Sequence, residues 1–236
     1  MYSAWVLLVL IFVSSLPVLA VYIWFRAVKY KFSVIWFFSA LLTGAAAFLP
    51  ALIFQDLLSG VIIHNSRAAL LFEFFIRIAL AEEISRLLVL LVFFWVSGKI
   101  LRKNISGTSD VLNRLPDFNS VKIGTAAGFI AGLGFSILEN ARYAASGMDI
   151  GIILLRVFTA AIHSACGSRI GAAAVLLRAN PFQALLRIIT ATAIHGVYNF
   201  MVTLPGFPFI AAFIIAVSAL VTAVITIKGV KFNSLT

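Results

Sequence analysis

Residues 68–97 read AALLFEFFIRIALAEEISRLLVLLVFFWVS, an apolar run that contains two successive glutamates. A membrane-spanning helix needs about 20 mainly apolar residues, because the helix rises about 1.5 Å per residue across a hydrocarbon layer about 30 Å thick. The apolar residues are continuous and do not alternate with polar ones, which favours a helix over a strand of a membrane barrel. The run therefore predicts a transmembrane helix with charged side chains inside it.

The rest of the chain repeats this apolar pattern. Of its 236 residues, 63% are hydrophobic and 11% are charged, whereas soluble domains are about one-quarter charged. Residues 1–236 are therefore predicted to form one all-α integral membrane domain of about seven spans. The predicted spans are 4–25, 34–55, 68–97, 121–146, 151–177, 184–204 and 209–228.

The basic residues predict an orientation in a plasma membrane. Lys and Arg dominate the first, third and fifth loops and the C-terminal end, so the positive-inside rule places the N-terminus outside and the C-terminus in the cytoplasm. The net charge of +10 is explained by these loops, and we expect no nucleic-acid partner. The single cysteine, Cys166, excludes an internal disulfide and a cysteine-rich metal site.

Glycines at four-residue spacing mark the fourth and fifth predicted spans. Small residues at this spacing let helix backbones approach closely in a lipid environment. We therefore expect both spans to pack tightly against neighbouring helices. The glycines concerned are Gly124, Gly128 and Gly132 in the fourth span, and Gly167 and Gly171 in the fifth.

Four predicted spans carry ionisable residues, which are costly in a membrane and are therefore functional by default. In the third span, Glu82 and Glu83 are not expected both to be ionised without a partner, so we expect either that they share one proton or that a cation pairs with one of them. Arg86 follows them by four and three residues on the same helix face and can supply that cation. The outer pair, Glu73 and Arg77, is interpreted as structural.

The later spans bring further ionisable groups to the same depth. Glu82, His163 and His195 fall about fourteen, twelve and eleven residues into their spans, so at about 1.5 Å per residue they share a mid-membrane level. Glu139 lies nearer the outer side. We therefore predict a common polar pocket that is built by four helices.

Carboxylates and imidazoles in one pocket permit two kinds of hydrolysis. A glutamate can take a proton from water while the imidazoles orient it. Alternatively, two histidines and a glutamate can hold a zinc ion with one position left for water. The zincin pattern HExxH is absent, and these residues alone leave both mechanisms open. Asn199 can add a hydrogen bond beside His195.

At these residues the sequence resembles the PrsW family of intramembrane proteases, which are related to the CAAX prenyl endopeptidases and bacteriocin-processing proteases. The resemblance covers about residues 70–200, and a catalytic core at about 68–204 is expected. Arg86 stands where family members usually have Lys, which keeps the positive charge. The matching stretches are AEEISR with Glu82, Glu83 and Arg86; GFSILENARY with Glu139, Asn140 and Tyr143; the segment around His163; and HGVYNF with His195 and Asn199.

The resemblance implies cleavage of membrane-anchored proteins, with an anti-sigma factor or a similar regulator as the substrate. It implies that Glu82 and Glu83 supply the base and its partner. His163 and His195 would position water or a metal, with Glu139 as a further ligand or a proton carrier. If a metal is bound, the implied ligand set is Glu139, His163 and His195 and the ion is zinc; the resemblance leaves a metal-free glutamate mechanism open as well. The supporting residues would be Arg86, Asn140, Tyr143 and Asn199.

Two other functions use the same buried residues. Chains of Glu and His serve as proton relays in proton- or ion-coupled transporters, although the inverted repeats and broken helices of many transporters are not evident in the sequence. A non-catalytic membrane scaffold would use the polar groups only to hold helices together. The sequence does not indicate an oligomeric state.

Overall fold

The computed structural model describes residues 4–27, 33–61, 66–104, 120–146, 156–204 and 206–228, and this part of the chain is all-helical. The predicted all-α fold is therefore confirmed. The helices are α1 (Ala4–Ala27), α2 (Val34–Ser59), α3 (Ser66–Leu71, Phe72–Leu80 and Ala81–Asn104 in succession), α4 (Val121–Ala145), α5 (Thr159–Ala179, after a 3-10 turn at Arg156–Phe158), α6 (Pro181–Val202) and α7 (Phe207–Lys228).

Five of these helices, α2 and α4 to α7, are long and apolar enough to cross a membrane. The described apolar part of α1 is shorter, at Ile11–Ala27, and α3 is the helix that carries the charged residues. The chain is therefore a multi-pass membrane protein, and its predicted orientation stays a prediction. Residues 105–119 of the predicted third loop and 151–155 of the predicted fifth span lie outside the described residues.

The start of α6 lies three residues before the predicted boundary. Asn180 caps this helix, since its side-chain oxygen accepts a hydrogen bond from the Gln183 backbone N–H at 3.0 Å. Pro181 occupies the first helical position, where a missing N–H has no cost. The Asn180 cap and Pro181 thus start the helix before the apolar span that the sequence predicts.

Helices α4 and α5 form the buried centre of the bundle and form the most extensive interface among the described helices. Their glycines face each other, so the tight packing that the spacing predicts joins these two helices. A Cβ atom on Gly128 would overlap the carbonyl oxygen of Gly167, and one on Gly132 would overlap that of His163. This close approach places Glu139 of α4 within reach of His163 of α5.

The stretch Phe72–Leu80 of α3 is a π-helix, where the sequence predicts a regular helix. This wider segment packs against α6: the Phe75 ring lies on Gly196, and the rings of Phe74 and Phe200 are 5.8 Å apart. Regular α-helix resumes at Ala81, one residue before Glu82. The irregular turn thus lies directly beside the glutamate pair, and π segments are frequent at functional sites.

The packing of α4 on α5 predicts that Gly132→Ala destabilises the protein, because the added methyl group would meet the His163 carbonyl. Gly98→Ala is the matched control, because a Cβ there meets no atom within 4 Å. The control should be neutral or stabilising by about 0.5–1 kcal/mol, since alanine is the better helix former. Thermal unfolding of both variants in detergent measures the difference, and an equal midpoint in the two would contradict the close approach.

Candidate active site

The side chains of Glu82, Glu83, Glu139, His163 and His195 converge at the centre of the bundle, and all five are buried. They come from α3, α4, α5 and α6. The rings of the two histidines lie 5.0 Å apart and are nearly perpendicular, at 87°. The structure therefore brings together the residues that the sequence places at one depth.

Glu83 is hydrogen-bonded to both an imidazole and a guanidinium. Its Oε1 lies 2.8 Å from Nδ1 of His195 and also accepts a hydrogen bond from Arg86. Arg86 donates a second hydrogen bond, from Nη1 to the backbone carbonyl of His163 at 3.1 Å. Of the two arrangements that the sequence allowed for the glutamate pair, the structure thus shows a carboxylate paired with a cation.

Glu139 forms a second pair of the same kind with His163. Its Oε2 lies 2.8 Å from Nε2 of His163 and 2.7 Å from a guanidinium nitrogen of Arg156. Asn140 and Tyr143 hold this arginine, since Arg156 donates to Asn140 Oδ1 at 3.2 Å and stacks 3.7 Å from the Tyr143 ring centre. Asn140 and Tyr143 thus support Glu139 through Arg156.

These two pairs determine which ring nitrogens are free. A neutral imidazole that donates one N–H to a carboxylate keeps a lone pair on its other nitrogen. With Glu83 on Nδ1 of His195 and Glu139 on Nε2 of His163, the lone pairs lie on Nε2 of His195 and Nδ1 of His163. In the described part of the chain, Nδ1 of His163 is buried and has no hydrogen-bond partner.

Glu82 completes a group of three ligand atoms. Its Oε2 is also buried without a hydrogen-bond partner among the described residues and lies 3.7 Å from Nε2 of His195. One ligand atom from each of Glu82, His163 and His195 lies within 4.8 Å of the others. Two imidazoles and one carboxylate are a donor set that catalytic zinc uses, and carboxylates on the far side of each ring are its usual support. The residues present therefore fit a zinc ion.

This geometric group differs from the set that the resemblance implied. Glu82 takes part in it, while Glu139 contacts the opposite nitrogen of His163. Asn199, another residue of the predicted supporting set, is half-buried, and no hydrogen bond joins it to the described residues of this centre. Arg86, by contrast, pairs with Glu83 and donates a hydrogen bond to the His163 carbonyl.

A cavity of about 230 Å³ leads from the protein surface to Glu82. Its lining includes exposed Arg142 and buried Glu82 and Glu139, together with Gln55 of α2 and the ion pair of Glu73 and Arg77. That ion pair forms as the spacing predicts, with a shortest distance of 2.6 Å. Glu83 is not part of the cavity lining, so the two adjacent glutamates face different surroundings.

Two contributors to this centre are missing from the sequence-based set. Arg156 precedes His163 by seven residues, a spacing that predicts the same helix face, although the structure places Arg156 in the 3-10 turn just before α5. Gln55 carries no such signal, because it stands at the end of an apolar span and belongs to no motif.

A family model described as PrsW family intramembrane metalloprotease matches residues 33–227. The comparisons with curated proteins and with solved structures found no match. The matched region begins just before α2 and ends near the end of α7, so it contains all the residues of the candidate site. The chain belongs to the PrsW family of intramembrane metalloproteases.

Proposed function

We propose that the chain is an endopeptidase that hydrolyses a peptide bond of a membrane-embedded protein at Glu82, His163 and His195. The observation that carries this proposal is that one ligand atom of each residue lies within 4.8 Å of the others. Each imidazole is hydrogen-bonded through one ring nitrogen to a carboxylate, which orients the ring and leaves the other nitrogen free to bind a metal. Such directed, buried groups are expensive in a membrane and are typical of a catalytic centre.

In this proposal the three residues hold a zinc ion. When bound, zinc would polarise the scissile carbonyl and make a bound water a stronger acid. Glu83 and Glu139 fix the orientation and tautomer of the two imidazoles, which raises their basicity as ligands. Arg86 and Arg156 neutralise these two carboxylates, so that both can accept hydrogen bonds inside the membrane.

The cavity provides the route for the substrate and for water. Exposed Arg142 and buried Glu82 and Glu139 all line it, so water and a segment of the substrate would approach the centre on the side of Glu82. Glu139 lines the cavity beside Glu82, and we assign it the transfer of a proton from the attacking water to the leaving amine. We propose a single-span regulator such as an anti-sigma factor, in the plasma membrane, as the substrate, because this is the class that the family resemblance implies.

Substitution of any one of the three ligands should strongly slow proteolysis. In detergent with a panel of single-span proteins, Glu82→Gln, His163→Ala and His195→Ala are each expected to lower the cleavage rate by about 10²–10⁴-fold, the range that positioned catalytic groups contribute. Product masses measured by mass spectrometry give the cleaved bond. The matched control is Asp56→Asn, which removes an exposed carboxylate of α2 outside the cavity and should cleave at the wild-type rate.

Each outcome of this experiment separates the functions considered. Cleavage that survives in both Glu82→Gln and His195→Ala would place the reaction elsewhere. A chelator should stop the wild-type reaction, and added zinc should restore it. Insensitivity to the chelator would instead indicate that Glu82 acts as a base on a water molecule that is not bound to a metal. A wild-type protein that is folded but cleaves no member of the panel would favour the scaffold.

The zinc affinity of single variants should distinguish the proposed ligands from the residues that support them. In a titration against a competing chelator, Glu82→Gln, His163→Ala and His195→Ala are expected to lose high-affinity zinc. Glu83→Gln and Glu139→Gln should weaken binding by about 10–100-fold, as is usual for partners of metal-bound histidines. If Glu139→Gln lost the zinc and Glu82→Gln kept it, the ligand set implied by the sequence resemblance would be correct instead.

A further inference from the structure

The Gln55 side chain contacts Glu82 from the side that faces the cavity. Its Nε2 donates a hydrogen bond to Glu82 Oε1 at 3.0 Å, and its Oε1 accepts one from Arg142 at 3.4 Å. A glutamine amide has one donor end and one acceptor end. Because a carboxylate can only accept and an arginine can only donate, this orientation is the one that satisfies both neighbours.

This contact is the one hydrogen bond that the Glu82 carboxylate makes within the described residues. Its other oxygen, Oε2, has no such partner, and the guanidinium of Arg86 lies 3.9 Å from it, beyond hydrogen-bond distance. The amide therefore determines how the carboxylate is rotated. With Oε1 held by Gln55, Oε2 is presented to Nε2 of His195 at 3.7 Å.

We propose that Gln55 is a positioning residue of this protease, which holds Glu82 so that its free oxygen completes the group with His163 and His195. This inference rests on the proposed function, in which Glu82 is a ligand. Gln55 plays the part for Glu82 that Glu83 and Glu139 play for the two imidazoles. Each of the three proposed ligands then has a hydrogen-bond partner on its far side.

A second contact keeps Gln55 in place independently of its amide. The backbone carbonyl of Gln55 accepts a hydrogen bond from Nε of Arg77 at 3.1 Å, which joins the end of α2 to the π segment of α3. Any substitution at position 55 retains this carbonyl. The docking of α2 on α3 can thus be separated from the contact of the amide with Glu82.

Two substitutions at Gln55 test the inference. Gln55→Met keeps the length of the side chain and removes the amide, and Gln55→Asn keeps the amide and draws it away from Glu82 by one methylene. Both should weaken zinc binding by about 10–100-fold, as expected for a residue that orients a metal ligand, and should lower kcat with little change in KM. The thermal midpoint of the metal-free protein should stay at the wild-type value.

The chain offers a matched control in its other glutamine, Gln183, which is exposed at the start of α6. Gln183→Met makes the same chemical change away from the centre and should bind zinc and cleave as the wild type does. Zinc affinity is measured by competition with a chelator, kcat and KM with a cleaved single-span protein, and the midpoint by thermal unfolding in detergent.

The outcomes distinguish this inference from the function on which it rests. Wild-type zinc affinity and kcat in both Gln55 variants would overturn the inference and leave the proposed function intact. A raised KM with unchanged zinc affinity would also overturn it, because the amide would then contact the substrate. If the wild-type protein neither bound zinc nor cleaved any substrate, the proposed function would fail, and Gln55 would have no ligand to position.

Discussion

The ion pair between Arg86 and Glu83 is the interaction on which the polar centre depends. Both side chains are fully buried, and each charge alone would cost roughly 2.5–3.5 kcal/mol at the centre of a membrane helix. Pairing offsets this cost only when the remaining hydrogen-bonding capacity is also satisfied. Arg86 meets that condition through its contact with the His163 carbonyl at 3.1 Å, whereas Oε2 of Glu83 has no hydrogen-bond partner among the described residues. One cation thus neutralises Glu83 and ties α3 to α5.

The packing around this ion pair keeps the charged groups away from lipid. Gly128 and Gly132 let α4 lie directly on α5, and the Phe135 ring then covers the centre, at 5.2 Å from the His163 ring and 4.8 Å from the guanidinium of Arg86. Close-packed apolar side chains lower the local dielectric constant and so strengthen hydrogen bonds and ion pairs. The small residues and the aromatic ring are therefore part of the electrostatic design and do not only fill space.

Much of this arrangement follows from the sequence, because a helix converts residue number into depth. Counting along the spans places Glu82, His163 and His195 at one level, and the structure brings them within 4.8 Å of one another. Depth does not give the direction in which each helix faces its neighbours. For that reason the sequence does not distinguish Glu82 from Glu139 as the partner of the histidines, and it does not identify Gln55. The π segment at Phe72–Leu80 has no signal in its residues either, since both kinds of helix suit an apolar run.

The direction of each side chain also explains why two glutamates stand side by side. Successive residues of an α-helix point about 100° apart, so Glu82 faces Gln55 and the cavity while Glu83 faces His195 and Arg86. The two carboxylates therefore have separate partners and do not form one proton-sharing pair. A ligand and the support of another ligand come from one turn of α3, so any shift of that turn moves both together. The doublet thus couples the position of the Glu82 oxygen to the orientation of the His195 ring.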